Sequence, residues 1–309
     1  MTLKYNAEPL PHSTQPYGEP PYFPHLWNKG KNPNIRASHN CYTYMLNDLF
    51  HVPRPYGKPQ PGYFIDNLEN LRKEGLLNSN RLSCSKVRQG VSKDNPHMKV
   101  LSIKKGMSSR SPPHHYKGIM ILSPGNDYHF ARQDNRFIPI FRMLNSDIKN
   151  NHIKLSTAMP RATVAKAFIK YADKYIPEIV LLAHRTFPDL MFSKNPIDKL
   201  KAIYQCSFTW SHKPGATDVT DRDADGELII NPLAANWDYS KKGGINYNVH
   251  CCFFHVPANY HSNTFSGGIS SKSQPRNNHK HMRSNLSSVQ KIDSKFNHLI
   301  RYAIGLSNS

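Results

Sequence analysis

Apolar and polar positions alternate in recognisable periods over much of the chain. Tyr42, Met45, Leu46, Leu49 and Phe50 recur at helical spacing, which predicts a short amphipathic helix opening at Cys41. Ser38 or Asn40 is placed to cap it. A second helix is expected where Asp66 and Glu69 form a capping box, Leu68 and Leu71 give an apolar face and Gly75 supplies the stop. Gly118-Ile119-Met120-Ile121-Leu122 reads as a short buried strand, closed by Ser123-Pro124-Gly125-Asn126. Asp127 to Asp134 then alternates as a strand does. Tyr128, Phe130 and Arg132 take one face, and Asp127, His129, Ala131 and Gln133 the other.

From 135 to 206 the strand pattern gives way to helical period. Ala162 to Tyr171 is helical, and Pro177 opens another helix through Ile179, Val180, Leu182 and Ala183. Strand character returns at Ser207–Lys213, turns at Pro214-Gly215, passes a polar hairpin around Asp225-Gly226 into Glu227–Ile230, and ends in Asn248–Pro257. Residues 1–36 interleave prolines with Tyr17, Tyr22, Phe23 and Trp27. Proline removes donors, so this is expected to be an extended arm laid along the domain or a neighbour. Residues 258–309 form a basic, Ser/Asn/His/Lys-rich tail, expected to be mobile except for a terminal helix near Val289 to Leu306. The resulting class is α+β. Its core is discontinuous (37–134 and 207–257), around a helical insertion at 135–206.

Composition adds a constraint on partners. Lysine and arginine outnumber aspartate and glutamate by 41 to 21, a net charge of +20. Such a balance favours an anionic partner, nucleic acid above all. From Arg81 to Lys117 nine basic residues face one acidic residue, Asp94, marking a candidate basic surface. No Gly-rich phosphate loop accompanies the charge, and the basic segments lack regular aromatic interleaving. Nucleic-acid contact is therefore read from charge alone. The five cysteines, odd in number and irregularly spaced, argue against a disulfide framework and for a reducing, non-secreted location. No run approaches the ~18 apolar residues of a membrane span.

Candidate chemistry centres on Cys41. At a helix start, amide N–H groups and the positive end of the helix dipole favour a thiolate. The competing reading is a small core hydrophobe. Two further patterns are weak. Asp221, Asp223, Asp225 and Gly226 mimic half of a calcium loop, but Pro232 stands at the twelfth position, so a solvated turn is favoured. Cys251 and His255 share one strand face without a second ligand pair, so core packing is favoured over zinc. No metal or other cofactor is expected.

Several segments together resemble a known family. His39-Asn40-Cys41-Tyr42-Thr43-Tyr44-Met45-Leu46-Asn47-Asp48 resembles an N-C-Y-x-Y-x-L-N-D motif, and Lys58-Pro59-Gln60-Pro61-Gly62 its K-P-Q-P-G. Asp127–Asp134 resembles D-Y-H-x-x-R-Q-D, Trp210-Ser211-His212-Lys213-Pro214-Gly215 resembles W-S-H-K-P-G, and Asp225–Pro232 a G-x-L-I-x-D-P hairpin. The pattern is similar to papain-like (NlpC/P60-type) cysteine hydrolases of giant DNA viruses and some bacteria. The resemblance implies a cysteine helix packed on an antiparallel sheet, and cleavage of an amide bond in peptide, peptidoglycan or a ubiquitin-like tag. It implies Cys41 as nucleophile, His129 as general base and then acid, and His212 as orienting group, with Asp134 the alternative. His129 and His212 are interchangeable at this stage. Backbone amides at the start of the Cys41 helix would form the oxyanion hole. The resemblance also implies a virion or a host-cell viral factory as location. The alternative function is a catalytically silent virion structural protein that holds capsid partners or genome. In short members of the family one hairpin joins the two histidine motifs; here more than seventy residues intervene.

Overall fold

A computed structural model describes residues 9–11, 18–30, 34–49, 58, 60–62, 82–150, 152, 154–258 and 298–305. The chain divides into two compact units, one of residues 1–9, 135–209 and 275–309, the other of residues 10–134 and 210–274. The architecture is mixed helix and antiparallel sheet, α+β.

The second unit carries the sheet. Among the described residues five strands, β1 (Lys99–Leu101), β2 (His115–Ser123), β3 (Asp127–Asn135), β4 (Phe208–His212) and β5 (Val249–Pro257), run in the order β1-β5-β2-β3-β4. The hairpin β2–β3 pairs Ser123 with Asp127 and Gly118 with Arg132, so the turn expected at Ser123–Asn126 closes it. Period-two alternation sorts the side chains into two clusters. Met120, Leu122, Tyr128, Phe130, Phe254 and Val256 pack with Cys41, Tyr42, Met45 and Leu46. Ile119, Ile121, Ala131, Trp210 and Phe253 pack on the other side with Ile229 and Trp237. Fully burying such aliphatic and aromatic side chains contributes about 1.5–3 kcal/mol each.

The cysteine helix is shorter than its apolar spacing predicts. It is a five-residue helix, Cys41–Met45, which we call α3 because α1 (Pro24–Trp27) and α2 (Ile35–Ser38) precede it. Asn47 takes φ 54°, the left-handed conformation that asparagine tolerates, and Asp48 N–H closes back on the Thr43 carbonyl at 2.9 Å. The helix lies close on β2: a Cβ on Gly118 would come within 2.6 Å of Met45 Sδ, so glycine permits the approach. Tyr116 Oη donates to the Met45 carbonyl at 2.7 Å and fixes the register.

Other expectations need correction. The N-terminal arm is not simply extended, since two one-turn helices form within it, and Phe23 and Trp27 are buried. Glu227–Ile230 does not form a strand; Leu228 makes an isolated bridge to Arg222 and Ile229 is buried in the core. Cys84 and Cys251 are joined by a disulfide with Cα atoms 5.4 Å apart, against the expectation of unpaired thiols. Their 167-residue separation leaves no local spacing signal. The link ties the first residue of α4 (Cys84–Asp94) to β5. Cys251 is thereby withdrawn from any metal site, and no metal-ligating cluster occurs among the described residues. The Asp221–Gly226 turn is a hydrogen-bonded loop: Asp223 accepts from the amides of Asp225, Glu227 and Asn236. The helix expected at residues 66–75 and most of the tail lie outside the described residues.

The first unit is helical. It holds α6 (Phe137–Lys149), α7 (Arg161–Tyr175), α8 (Pro177–Thr186), α9 (Pro188–Phe192) and α10 (Pro196–Cys206), numbered after α5 (Ile103–Ser108) of the sheet unit. Three of these helices start with proline at the first position, where its missing N–H would have no helical partner. Phe137, Phe141, Phe168 and Tyr204 form the aromatic centre, with ring centroids 5.7–6.4 Å apart. Residues 298–304 are helical, as the sequence predicts for that stretch, and Tyr302 Oη donates to the Met159 carbonyl at 2.8 Å.

Candidate active site

Asn40 caps α3 with both halves of a capping box. Its side chain accepts from Thr43 N–H at 3.1 Å, and Thr43 Oγ1 accepts from Asn40 N–H at 3.0 Å. Cys41 is therefore held as the first helical residue. It is only 6% exposed, and burial pushes its thiol up to about 12, with the Asp127 carboxylate adding to the rise. Amide N–H groups of Phe130 and Tyr42, and the Lys213 ammonium, act in the opposite sense. This corrects the expectation of a thiolate. A single helical turn supplies little dipole, and desolvation outweighs it.

The motif segments converge around that helix. Tyr42 Oη donates to Asp94 Oδ2 at 2.8 Å, and the same carboxylate oxygen accepts from Gly62 N–H at 2.7 Å. Asp94, the lone acidic residue of the basic stretch, thus joins the Cys41 helix to the Lys58–Gly62 segment. Tyr128 Oη donates to Gln60 Oε1 in that segment. Lys213 is fully buried, and its Nζ donates to the carbonyls of Arg36, Gly215 and Thr217 at 2.7–2.9 Å.

His129 and His212 meet. His129 Nε2 lies 2.8 Å from His212 Nδ1, and His212 Nε2 lies 2.9 Å from the Arg222 carbonyl. A carbonyl only accepts, so His212 Nε2 carries the hydrogen and its Nδ1 is the acceptor. His129 Nε2 therefore donates, which leaves His129 Nδ1 with the free lone pair. Burial lowers both imidazoles, His212 to about 4, so both are neutral at pH 7. Rings enclose the pair: Tyr247 and Trp237 lie 5.1 and 6.0 Å from His129, and Tyr239 Oη is 3.3 Å from His212 Nε2.

Cys41 packs on the other face of β3, with Tyr128 and Phe130. Its sulfur faces the amide of Phe130, the residue after His129, and interacts with Asp127 and Tyr247. Tyr247 Oη donates to Asp127 Oδ2 at 2.8 Å and stands beside both Cys41 and His129. Among the described residues, no hydrogen bond joins the Cys41 sulfur to either imidazole. Asp134 stands apart, bonded to Arg132, Tyr44 and Ser211. The supporting roles of Asp94, Tyr247 and Trp237 were missed in sequence. The isolation of Asp94 among nine cations was the one available signal. Comparison with protein-family models, curated proteins and solved structures returns no match.

Proposed function

We propose that the protein is a thiol hydrolase of an amide bond, built on a papain-like core. The observation that carries this reading is the hydrogen-bonded series His129–His212–Arg222 set against the β3 residue whose amide faces Cys41 Sγ. Cys41 is the nucleophile and His129 the base. As sulfur attacks the carbonyl carbon, His129 Nδ1 takes the thiol proton and the oxygen becomes an oxyanion held by the Cys41 N–H. The C–N bond then breaks, and imidazolium returns the proton to the departing amine. Water, deprotonated by the same nitrogen, hydrolyses the thioester. His212 holds the His129 ring and its tautomer. Catalytic hydrogen bonds are commonly long or misaligned before substrate binds, so the lack of a Cys41–imidazole hydrogen bond among the described residues does not exclude these steps, which require the thiol and His129 to be brought together on substrate binding.

A peptide vinyl sulfone followed by intact-mass analysis tests it. One adduct is expected at Cys41, absent in Cys41→Ala and formed about 10²–10⁴-fold more slowly in His129→Ala. Equal rates in the parent and His129→Ala would remove the hydrolase reading. Small alkylating agents, which need a thiolate already present, are expected to react with resting Cys41 more slowly than with free cysteine at every pH from 6 to 9.

A second reading, a virion protein that binds genome, is favoured by one feature of the helical unit. A groove of about 450 Å³ between α7 and α10 is lined by Lys166, Lys170, Lys194 and Lys199, with Ile169, Pro196 and a single carboxylate, Asp173. Among the described residues that lining holds no aromatic side chain, so it suits a phosphate backbone rather than base stacking. Binding to duplex DNA is expected to fall with log salt at a slope of about −3 to −4, and Lys166→Gln with Lys170→Gln to flatten it by about 2. A slope unchanged in the double variant would place the contact elsewhere.

A further inference from the structure

Lys117 belongs to the stretch the sequence marks as a basic surface, yet it is fully buried. Its strand partner is His255, which is 5% exposed and pairs on its other side with Lys99. Residues in register share a face, so Lys99, His255 and Lys117 form one rung across β1, β5 and β2. The neighbouring rung on that face, Leu101, Phe253 and Ile119, is apolar and buried. One step along, three nitrogen-bearing side chains take the same position.

Among the described residues, neither Lys117 Nζ nor either nitrogen of His255 has a hydrogen-bond partner. Buried polar groups are nearly always paired, and an exception calls for a cause such as an absent ion. The surroundings say which sign. His115 and Lys105 act on His255 together with Lys99 and Lys117, and all four disfavour its protonation. Burial lowers Lys117 to about 8, and the Glu19 carboxylate opposes that shift without accepting a hydrogen bond from Nζ. With His255 neutral, Lys99, Lys105 and Lys117 against Glu19 leave an excess of two positive charges among these groups.

We propose that the Lys99–His255–Lys117 rung is an anion site that takes a dianionic phosphate group. The charge matches: a phosphate monoester carries about −1.5 to −2 at pH 7 and offers three acceptor oxygens, where a phosphodiester offers a single charge. Lysine is an established point-charge ligand for phosphate, and neutral His255 still offers one ring N–H from the middle strand. Lys99, exposed at the open end of the rung, gives the anion its approach.

The full-length protein is titrated with inorganic phosphate at pH 7, against chloride at equal ionic strength, by calorimetry and thermal unfolding. Phosphate is expected to bind and to raise the unfolding temperature. Lys117→Met is expected to weaken binding at least tenfold, while unfolding no earlier than the parent in chloride, since it deletes an unpaired buried ammonium. Phosphate that behaves as chloride does, or a Lys117→Met protein that binds it as well, overturns the proposal. Should Lys117→Met fail to fold, Lys99→Gln decides: binding weakened threefold or more supports the site and unchanged affinity rejects it. A nucleoside 5′-monophosphate that competes with phosphate identifies a monoester as occupant, and its failure to compete identifies the free ion. Equal competition by a DNA oligomer without terminal phosphate rejects the dianion assignment.

Discussion

An Asp134→Ala protein is expected to lose about 3–5 kcal/mol of stability, read as a fall in the urea midpoint of the sheet unit. Asp134 and Arg132 are both fully buried, with Arg132 Nε 2.9 Å from Asp134 Oδ1. The guanidinium also donates from Nη1 to the Tyr44 carbonyl at 2.9 Å and Asn47 Oδ1 at 2.8 Å, and stacks on the Tyr44 ring at 3.9 Å. Its Nη2 has no partner among the described residues, so none of them offers a spare acceptor to replace the carboxylate. Truncating Asp134 leaves a buried cation unpaired and takes an acceptor from the Tyr44 and Ser211 hydroxyls. The pair need not stabilise relative to apolar residues of the same volume. Arg132→Met with Asp134→Leu is accordingly expected to recover most of the loss. A loss below about 1 kcal/mol in Asp134→Ala would show that water reaches this network. Tyr44 belongs to the Cys41 helix, so the same variant should also disturb the position of Cys41.

That network shows what the sequence disclosed and what it withheld. The alternation of Asp127–Asp134 separates Tyr128, Phe130 and Arg132 from His129, Ala131 and Gln133, and the packing clusters follow that division. Periodicity works because one face of each strand meets one core. It carries no information about long-range partners, so Asp134 was weighed as a histidine partner when it belongs to Arg132. Lys117 fails for a similar reason. Composition counts it among surface cations, whereas its position inside a buried strand, between Tyr116 and Gly118, decides its environment. The end of α3 was legible in principle, since Asn47-Asp48 is a stop signal that the apolar spacing through Phe50 overrode. For the candidate site, the residue types and their order were visible. The pairing of His129 with His212 depends on strand order across 83 residues, and the elevated Cys41 thiol depends on burial that no motif records.

Stability of the sheet unit is expected to fall steeply as pH drops from about 6.5 toward 4, before most carboxylates are protonated. His39 and His212 are 2% and 0% exposed, and burial lowers each to about 4 from an ordinary 6.5. The sign follows from proton counting. Between those values the unfolded chain binds a proton at each histidine and the folded chain does not, so lowering the pH favours unfolding. A difference of roughly 2.5 units at about 1.36 kcal/mol per unit gives about 3 kcal/mol for each histidine once pH 4 is reached. Together they rival the about 5–15 kcal/mol that holds a typical domain folded. His129, also held neutral by burial and by the facing His212, adds in the same direction. Urea unfolding at pH 7.5, 5.5 and 4.5 checks the window, and a His39→Leu protein should show a slope reduced by about one proton. A stability that stays level from pH 6.5 to 4.5 would mean these rings meet water in the folded state. The closed histidine pair on which the catalytic reading rests would then be lost as well.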